Sequence, residues 1–220
     1  MAGKPINEIL DRLERRSRDR ASPGSALGRE PSWQRTPFTV LIATVLSQRN
    51  RDECTYLASE KLFSHHDTPA KLMAASEDEV DGLIRTVNFH RGKAKAIREI
   101  SRIIHVDHGD RVPDDIDGLM ALPMVGRKTA NCVLAYAFYK DAICVDIHVH
   151  RISNRIGLVK SSTPEGTEEQ LKLIVPQERW RTVNELMVRF GQEVCTPLHP
   201  RHALCPIREL CDHYLQNAAD

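Results

Sequence analysis

In the stretch LPMVGRKTANCVL, residues 122 to 134, Gly126, Arg127 and Lys128 stand at the mouth of a helix that is otherwise almost wholly apolar. From Ala130 the run continues Cys132, Val133, Leu134, Ala135, Tyr136, Ala137 and Phe138, with only Asn131 strongly polar, so the helix is expected to be buried around most of its circumference. The free amides of such an N-terminus favour an anion, and a glycine lets a backbone come close; a DNA phosphate is one natural occupant. The same positive end disfavours a cation. Lys128, flanked by Arg127 and partly desolvated, is therefore expected to titrate below the usual lysine value of roughly 10.4. An amine so depressed is a nucleophile rather than a point charge. Taken alone, Gly-Arg-Lys is equally the solvated start of a buried helix.

A second group of reactive residues lies near the end of the chain. Three of the six cysteines, Cys195, Cys205 and Cys211, crowd into the last quarter, and in a reducing compartment such clustering suggests a metal before a disulfide. Cys54, Cys132 and Cys144 fall in helical or apolar stretches and are expected to be small buried hydrophobes. The bulk numbers set bounds on these readings. With 220 residues, 41% hydrophobic and 28% charged, the chain can bury a sizeable core, in one large domain or two modest ones. A formal net charge of +1 excludes a polycationic coat, so phosphate binding must come from a local arrangement of amides, Lys and Arg. No apolar run approaches the roughly 20 residues that span a bilayer, which gives the expectation of a soluble, cytoplasmic protein with no membrane partner.

The elements that must position these residues read as helices. Thr36-Pro37, Thr68-Pro69 and Thr163-Pro164 each pair an N-cap with a proline at the first helical position, and Ser76 followed by Glu79 predicts a capping box. Ala96, Ile97, Ile100, Ile103 and Ile104 keep helical spacing, with Gly109 as the stop. AICVDIHVHRI alternates like a strand at Ile143, Val145, Ile147 and Val149, yet Val149, Ile152 and Ile156 fit a helix capped by Asp146; with no partner strand in sight, the helix is preferred. The segment from about 17 to 35 reads as a loop or linker. The fold class expected is all-α.

Set side by side, LPMVGRKTANCVLAYAF and VDIHVHRISNR resemble the helix-hairpin-helix, Gly/Pro-rich loop and distal Asp of the endonuclease III family of DNA glycosylases, and the likeness runs through LIATVLSQRNRDE, KAKAIREI and the terminal cysteines. The resemblance implies two helical lobes: a six-helix barrel carrying the hairpin over 30–140, and a second lobe of 1–29 with 141–220. It implies a bifunctional glycosylase and abasic-site lyase that removes oxidised pyrimidines from duplex DNA in base excision repair, working as a monomer near the nucleoid. Lys128 matches the family's Schiff-base lysine and Asp146 its catalytic aspartate. Gly126 and Arg127 fall where the hairpin meets phosphate, and His148 flanks the catalytic segment. Gln48, Arg49 and Asn50 fall where family members insert a polar side chain into the hole left by a flipped base, with Gln48 and Arg49 both eligible as the wedge.

Two departures from the family pattern are visible. The family usually has glycine where this chain has Met124, and the expectation is that the turn holds Met124 in an ordinary conformation. The family's iron-sulfur spacing, C-x6-C-x2-C-x5-C, is kept by Cys195, His202, Cys205 and Cys211, with imidazole in place of one thiolate. A four-iron four-sulfur (4Fe-4S) cluster on three Cys and His202 is expected, with a Cys3His zinc site or no metal as the alternatives. Arg91, Lys93 and Lys95 are candidates for phosphate contact, against the simpler reading of a solvated basic face. Trp33 and Trp180 are expected to pack in the core. A monofunctional mismatch glycosylase and a non-catalytic DNA-binding protein are the rival functions; Lys128 argues against the first.

Overall fold

The structure, a computed structural model, describes residues 4–18 and 31–217. Among these there are twelve α-helices and no strand. The chain divides into one unit of Met1–Ser25 with Asp141–Asp220 and another of Ala26–Lys140. The loop expected over about 17–35 is only partly seen: residues 17 and 18 still belong to the first helix, 31–35 are non-helical, and the rest lies outside the described residues.

In the unit built around the hairpin, α2 (Pro37–Ser47) is the central rod, with every residue from Phe38 to Leu46 buried. It packs against α3 (Asp52–Phe63), α6 (His90–Arg102) and α8 (Arg127–Ala137), while α4 (Pro69–Ala74) and α5 (Glu77–Leu83) lean on α6, and α7 (Ile116–Met120) on α8. Trp33 stacks at a tilt on Phe63, ring centroids 4.6 Å apart. The Thr-Pro starts form as read: the hydroxyls of Thr36 and Thr68 accept from Thr39 N and Lys71 N. The reciprocal capping box falls elsewhere than expected. It joins Thr36 and Thr39, whereas at Ser76 the hydroxyl accepts from Glu79 N but the Glu79 carboxylate is taken by His66 Nε2 at 3.0 Å. Cys54 is only half-buried, because the face of α3 that turns inward is Thr55, Ala58, Ser59 and Leu62.

The other unit gathers α1 (Ile6–Arg18), α9 (Ile147–Ile156), α10 (Pro164–Ile174), α11 (Trp180–Glu193) and α12 (Asp212–Asn217) on a core that includes Ile9, Leu10, Val149, Ile152, Leu171, Met187 and Phe190. Burying such side chains is worth about 1.5–3 kcal/mol each. Trp180 packs against this core and donates its indole N–H to Val175 O at 2.9 Å. The ambiguous AICVDIHVHRI resolves as a helix beginning after Asp146, with Ile143 and Val145 buried in the extended approach. Gly157 ends α9 at φ 85°, and a Cβ there would run into the Asp212 carboxylate, so both the left-handed turn and the close approach require glycine. Polar contacts from α1 and the residues just before it hold the terminal loop: Lys4 Nζ donates to Leu210 O at 2.7 Å and pairs with Asp212, and Arg12 donates to Pro206 O at 2.9 Å and pairs with Glu209.

Candidate active site and cysteine loop

The hairpin turn links α7 to α8. Leu122 and Val125 point inward, nearly buried, and the Val125 amide closes the turn on Leu122 O at 3.1 Å. Between them Met124 sits at φ 58° with its side chain 43% exposed. The expectation of an ordinary conformation is thus corrected: the turn geometry demands the left-handed region, and methionine occupies it at a cost of roughly 1–2 kcal/mol. Gly126, by contrast, is extended at φ −92° and does not use glycine's freedom; what it provides is room, since nothing lies within 4 Å of a Cβ placed there. No side chain caps α8. Its first turn carries Arg127, half-buried, and Lys128, exposed. The partial desolvation expected of Lys128 is therefore absent.

The turn after α2 braces this hairpin. Gln48 leaves the helix at ψ 123°, and its side-chain amide donates to Met124 O at 2.8 Å and to Thr129 Oγ1 at 3.2 Å. Arg49 follows at φ 55°, exposed, its guanidinium 6.0 Å from the ring of Phe89, itself 64% exposed at φ 58°. Asn50 points back: its Nδ2 donates to Leu46 O at 2.6 Å and Gln48 O at 3.1 Å, while its Oδ1 accepts from Asn88 N at 2.6 Å. Of the three polar residues read as DNA contacts, Gln48 and Asn50 are spent on internal bonds and Arg49 is the one presented outward. Lys93 is the clearest correction. Its side chain is 1% exposed and donates to Leu46 O and Gln48 O, so it cannot reach a phosphate, whereas Arg91 and Lys95 are exposed.

In the other unit Asp146 caps α9, its Oδ1 accepting from His148 N at 2.8 Å and Val149 N at 2.9 Å. His148 is half-buried, with Nδ1 3.2 Å from Arg151 Nη2. Its ring lies so close over Gly191 of α11 that a Cβ there would come within 2.5 Å of Nδ1. His150, the other flanking histidine, is bonded to Thr167 Oγ1 at 2.7 Å.

Cys195, His202, Cys205 and Cys211 all line one small cavity, walled by Ile156, Phe190, Val194 and Ile207. His202 stands edge-on to Tyr214 and His213, at 5.1 and 5.9 Å. Burial pushes the Cys205 thiol up to about 11 and raises Cys211 as well, so bare thiolates are disfavoured in this apolar wall and require a cationic occupant. Among the described residues no three His, Cys, Asp or Glu side chains converge on a point where a single ion would sit.

A glycine-opened turn leading into a buried helix with a basic first turn, in an all-helical chain, is a frame suited to holding a phosphate. The comparisons with known proteins agree. The family model described as HhH-GPD superfamily base excision DNA repair protein matches residues 42–177. The chain is 50% identical to endonuclease III of Thermotoga maritima over 178 residues, 81% of this chain and 84% of that one, and 38% identical to that of Bacillus subtilis over 177, 80% of each. A solved structure of a trapped endonuclease III–DNA covalent intermediate matches with a TM-score of 0.85 at 32% identity, covering 97% of both chains. The chain belongs to the endonuclease III family of HhH-GPD base excision repair proteins. It is accordingly a DNA glycosylase and abasic-site lyase acting on damaged duplex DNA. No helix among the described residues is long and apolar enough to cross a membrane.

Proposed function

We propose that the chain excises oxidised pyrimidines with Lys128 as nucleophile and Asp146 as its carboxylate partner. The neutral Lys128 amine attacks C1′ of the damaged nucleotide as the C1′–N bond to the base breaks and the departing base is protonated. The attached nitrogen then gives up its protons, one going to O4′ as the C1′–O4′ bond opens, and the imine so formed, reprotonated on nitrogen, acidifies C2′; loss of a proton there expels the 3′ phosphate by β-elimination and cuts the strand. Asp146 stabilises the cationic sugar and assists proton transfer. Gly126, Arg127 and the α8 amides hold a phosphate, and Arg49 enters the space vacated by the flipped base. His148 flanks Asp146 and contacts the same strand. The observation that carries this reading is the lysine in the first turn of an uncapped helix behind a glycine-opened turn. The test is borohydride trapping on abasic-site duplex: Lys128→Ala is expected to lose the covalent adduct while keeping DNA affinity within a few-fold. Full trapping by that variant refutes the assignment. A monofunctional glycosylase or a passive binder would give no efficient adduct with the wild-type chain.

For the cysteine loop the same reading places a 4Fe-4S cluster on Cys195, His202, Cys205 and Cys211. The thiolates and imidazole would hold it as a structural element that fixes the loop, and an imidazole ligand raises the reduction potential relative to four thiolates. Iron and sulfide analysis of protein purified without oxygen is expected to find both. Zinc in their place supports the Cys3His alternative, and His202→Ala should lower metal content without abolishing borohydride trapping. We infer that the protein works in the cytoplasm, at the nucleoid, where its duplex substrate lies.

A further inference from the structure

Lys93 is the largest fully buried side chain among the described residues, and its ammonium lies where a charge is least welcome. Lys93 belongs to the first turns of α6, whose N-terminal dipole repels a cation. Burial pushes the group down to about 8. Offsetting this, Nζ donates to Leu46 O at 2.8 Å and to Gln48 O at 2.7 Å, at the C-terminal end of α2. That end has no basic residue of its own in its last turn. Both carbonyls also accept from Asn50 Nδ2, and the amide of Asn88 closes the far side by donating to Asn50 Oδ1, while Asn88 Nδ2 donates to Arg49 O at 2.8 Å. The result is a left-handed Arg49 with the carbonyls of Gln48 and Arg49 both bonded and its side chain exposed.

We propose that Lys93 is a positioning residue for DNA engagement: its buried ammonium locks the Gln48–Arg49 turn in the conformation that presents Arg49 to the duplex. The inference rests on the reading of Arg49 as the wedge. Unbonded carbonyls at a helix end are ordinary partners for a lysine, but these two, Leu46 O and Gln48 O, also frame the turn that carries Arg49, so the bonds that close α2 fix that turn as well. A turn ordered before binding spares that cost when DNA docks, which is where its contribution to affinity arises.

The experiment is a double-mutant cycle on the full chain with Lys93→Met and Arg49→Ala. The probe is a duplex carrying a tetrahydrofuran abasic analogue opposite 2-aminopurine, which reads affinity and insertion at the orphan base together. Lys93→Met is expected to weaken binding about tenfold and to lose the aminopurine change. The trapping rate at saturating enzyme on natural abasic DNA should stay within about twofold, since Lys128 is untouched. Arg49→Ala should weaken binding by a similar factor and lose the same aminopurine change, and the double variant should bind no worse than either single one. Normal affinity in Arg49→Ala removes the wedge reading itself. Loss in Arg49→Ala with none in Lys93→Met overturns the positioning role alone, as do losses that multiply in the double variant. Should Lys93→Met not fold, Lys93→Gln, which keeps an uncharged donor, takes its place; failure of both to fold shows that the lysine serves the core and not the turn.

Discussion

The two helices that carry the proposed catalytic pair begin in opposite ways. At α9 the first amides are closed by Asp146 Oδ1, which accepts from both His148 N and Val149 N. At α8 no side chain closes them, and Gly126 leaves open space in front. An N-terminus carries about half a positive charge, so a carboxylate in one case and the absence of one in the other decide what each end can do. The closed end consumes its field internally and fixes a carboxylate in place, with the second carboxylate oxygen not used by the cap. The open end keeps its field for an anion from outside. One position is built to hold a side chain still, the other to leave a surface unfilled.

The sharpest test of the closed end separates cap from chemistry. Asp146→Asn keeps an oxygen that can accept from His148 N and Val149 N, and asparagine caps about as well as aspartate. Its thermal midpoint is expected to change little while single-turnover base removal falls about 100-fold. Asp146→Ala should lose the same rate and in addition about 1 kcal/mol of stability. An unchanged excision rate in Asp146→Asn would reduce Asp146 to a cap. The complementary change closes the open end. Gly126→Asp, in an extended backbone that aspartate tolerates and with no atom in its way, should bond the α8 amides, leave stability equal or slightly higher, and weaken abasic-duplex binding about tenfold. Gly126→Ala, which adds a methyl but no acceptor, measures how much of that loss is steric.

How much of this was legible in the sequence depended on whether a residue's role is written in its neighbours. The three Thr-Pro helix starts and the Asp146 cap were readable because a cap acts on amides two or three residues away. The apolar run from Ala130 announced a buried helix, and its basic first turn was conspicuous for that reason. Lys93 was misread because basic residues were assigned to one solvated face, yet the signal was present. Lys93 stands in register with Ile97 and Ile100, the buried stripe of α6, and with Ile104 just beyond its end, while Arg91 and Lys95 are exposed. The Ser76 box failed because the Glu79 carboxylate had a competing partner in His66, thirteen positions away, which no local pattern reveals. Likewise, nothing near Gln48 shows that its amide bonds Met124 O, 76 residues on.

Met124 offers the smallest of the expected effects and bears on how the open end is entered. A left-handed methionine costs roughly 1–2 kcal/mol, and a glycine would remove that cost while losing about 0.5–1 kcal/mol to its greater freedom when unfolded. Met124→Gly also gives up a half-exposed side chain with little burial to lose. The net expectation is a gain of about 0.5 kcal/mol, a rise of one or two degrees in Tm. The brace from Gln48 reaches the carbonyl of residue 124 and not its side chain, so it should survive, and abasic-duplex affinity should hold within about twofold. A fall in Tm instead would mean that the methionine side chain contributes packing larger than the strain it carries. A fall in affinity at unchanged Tm would place the Met124 side chain itself at the surface the DNA meets, making the approach to α8, and not only its uncapped amides, part of what the open end recognises.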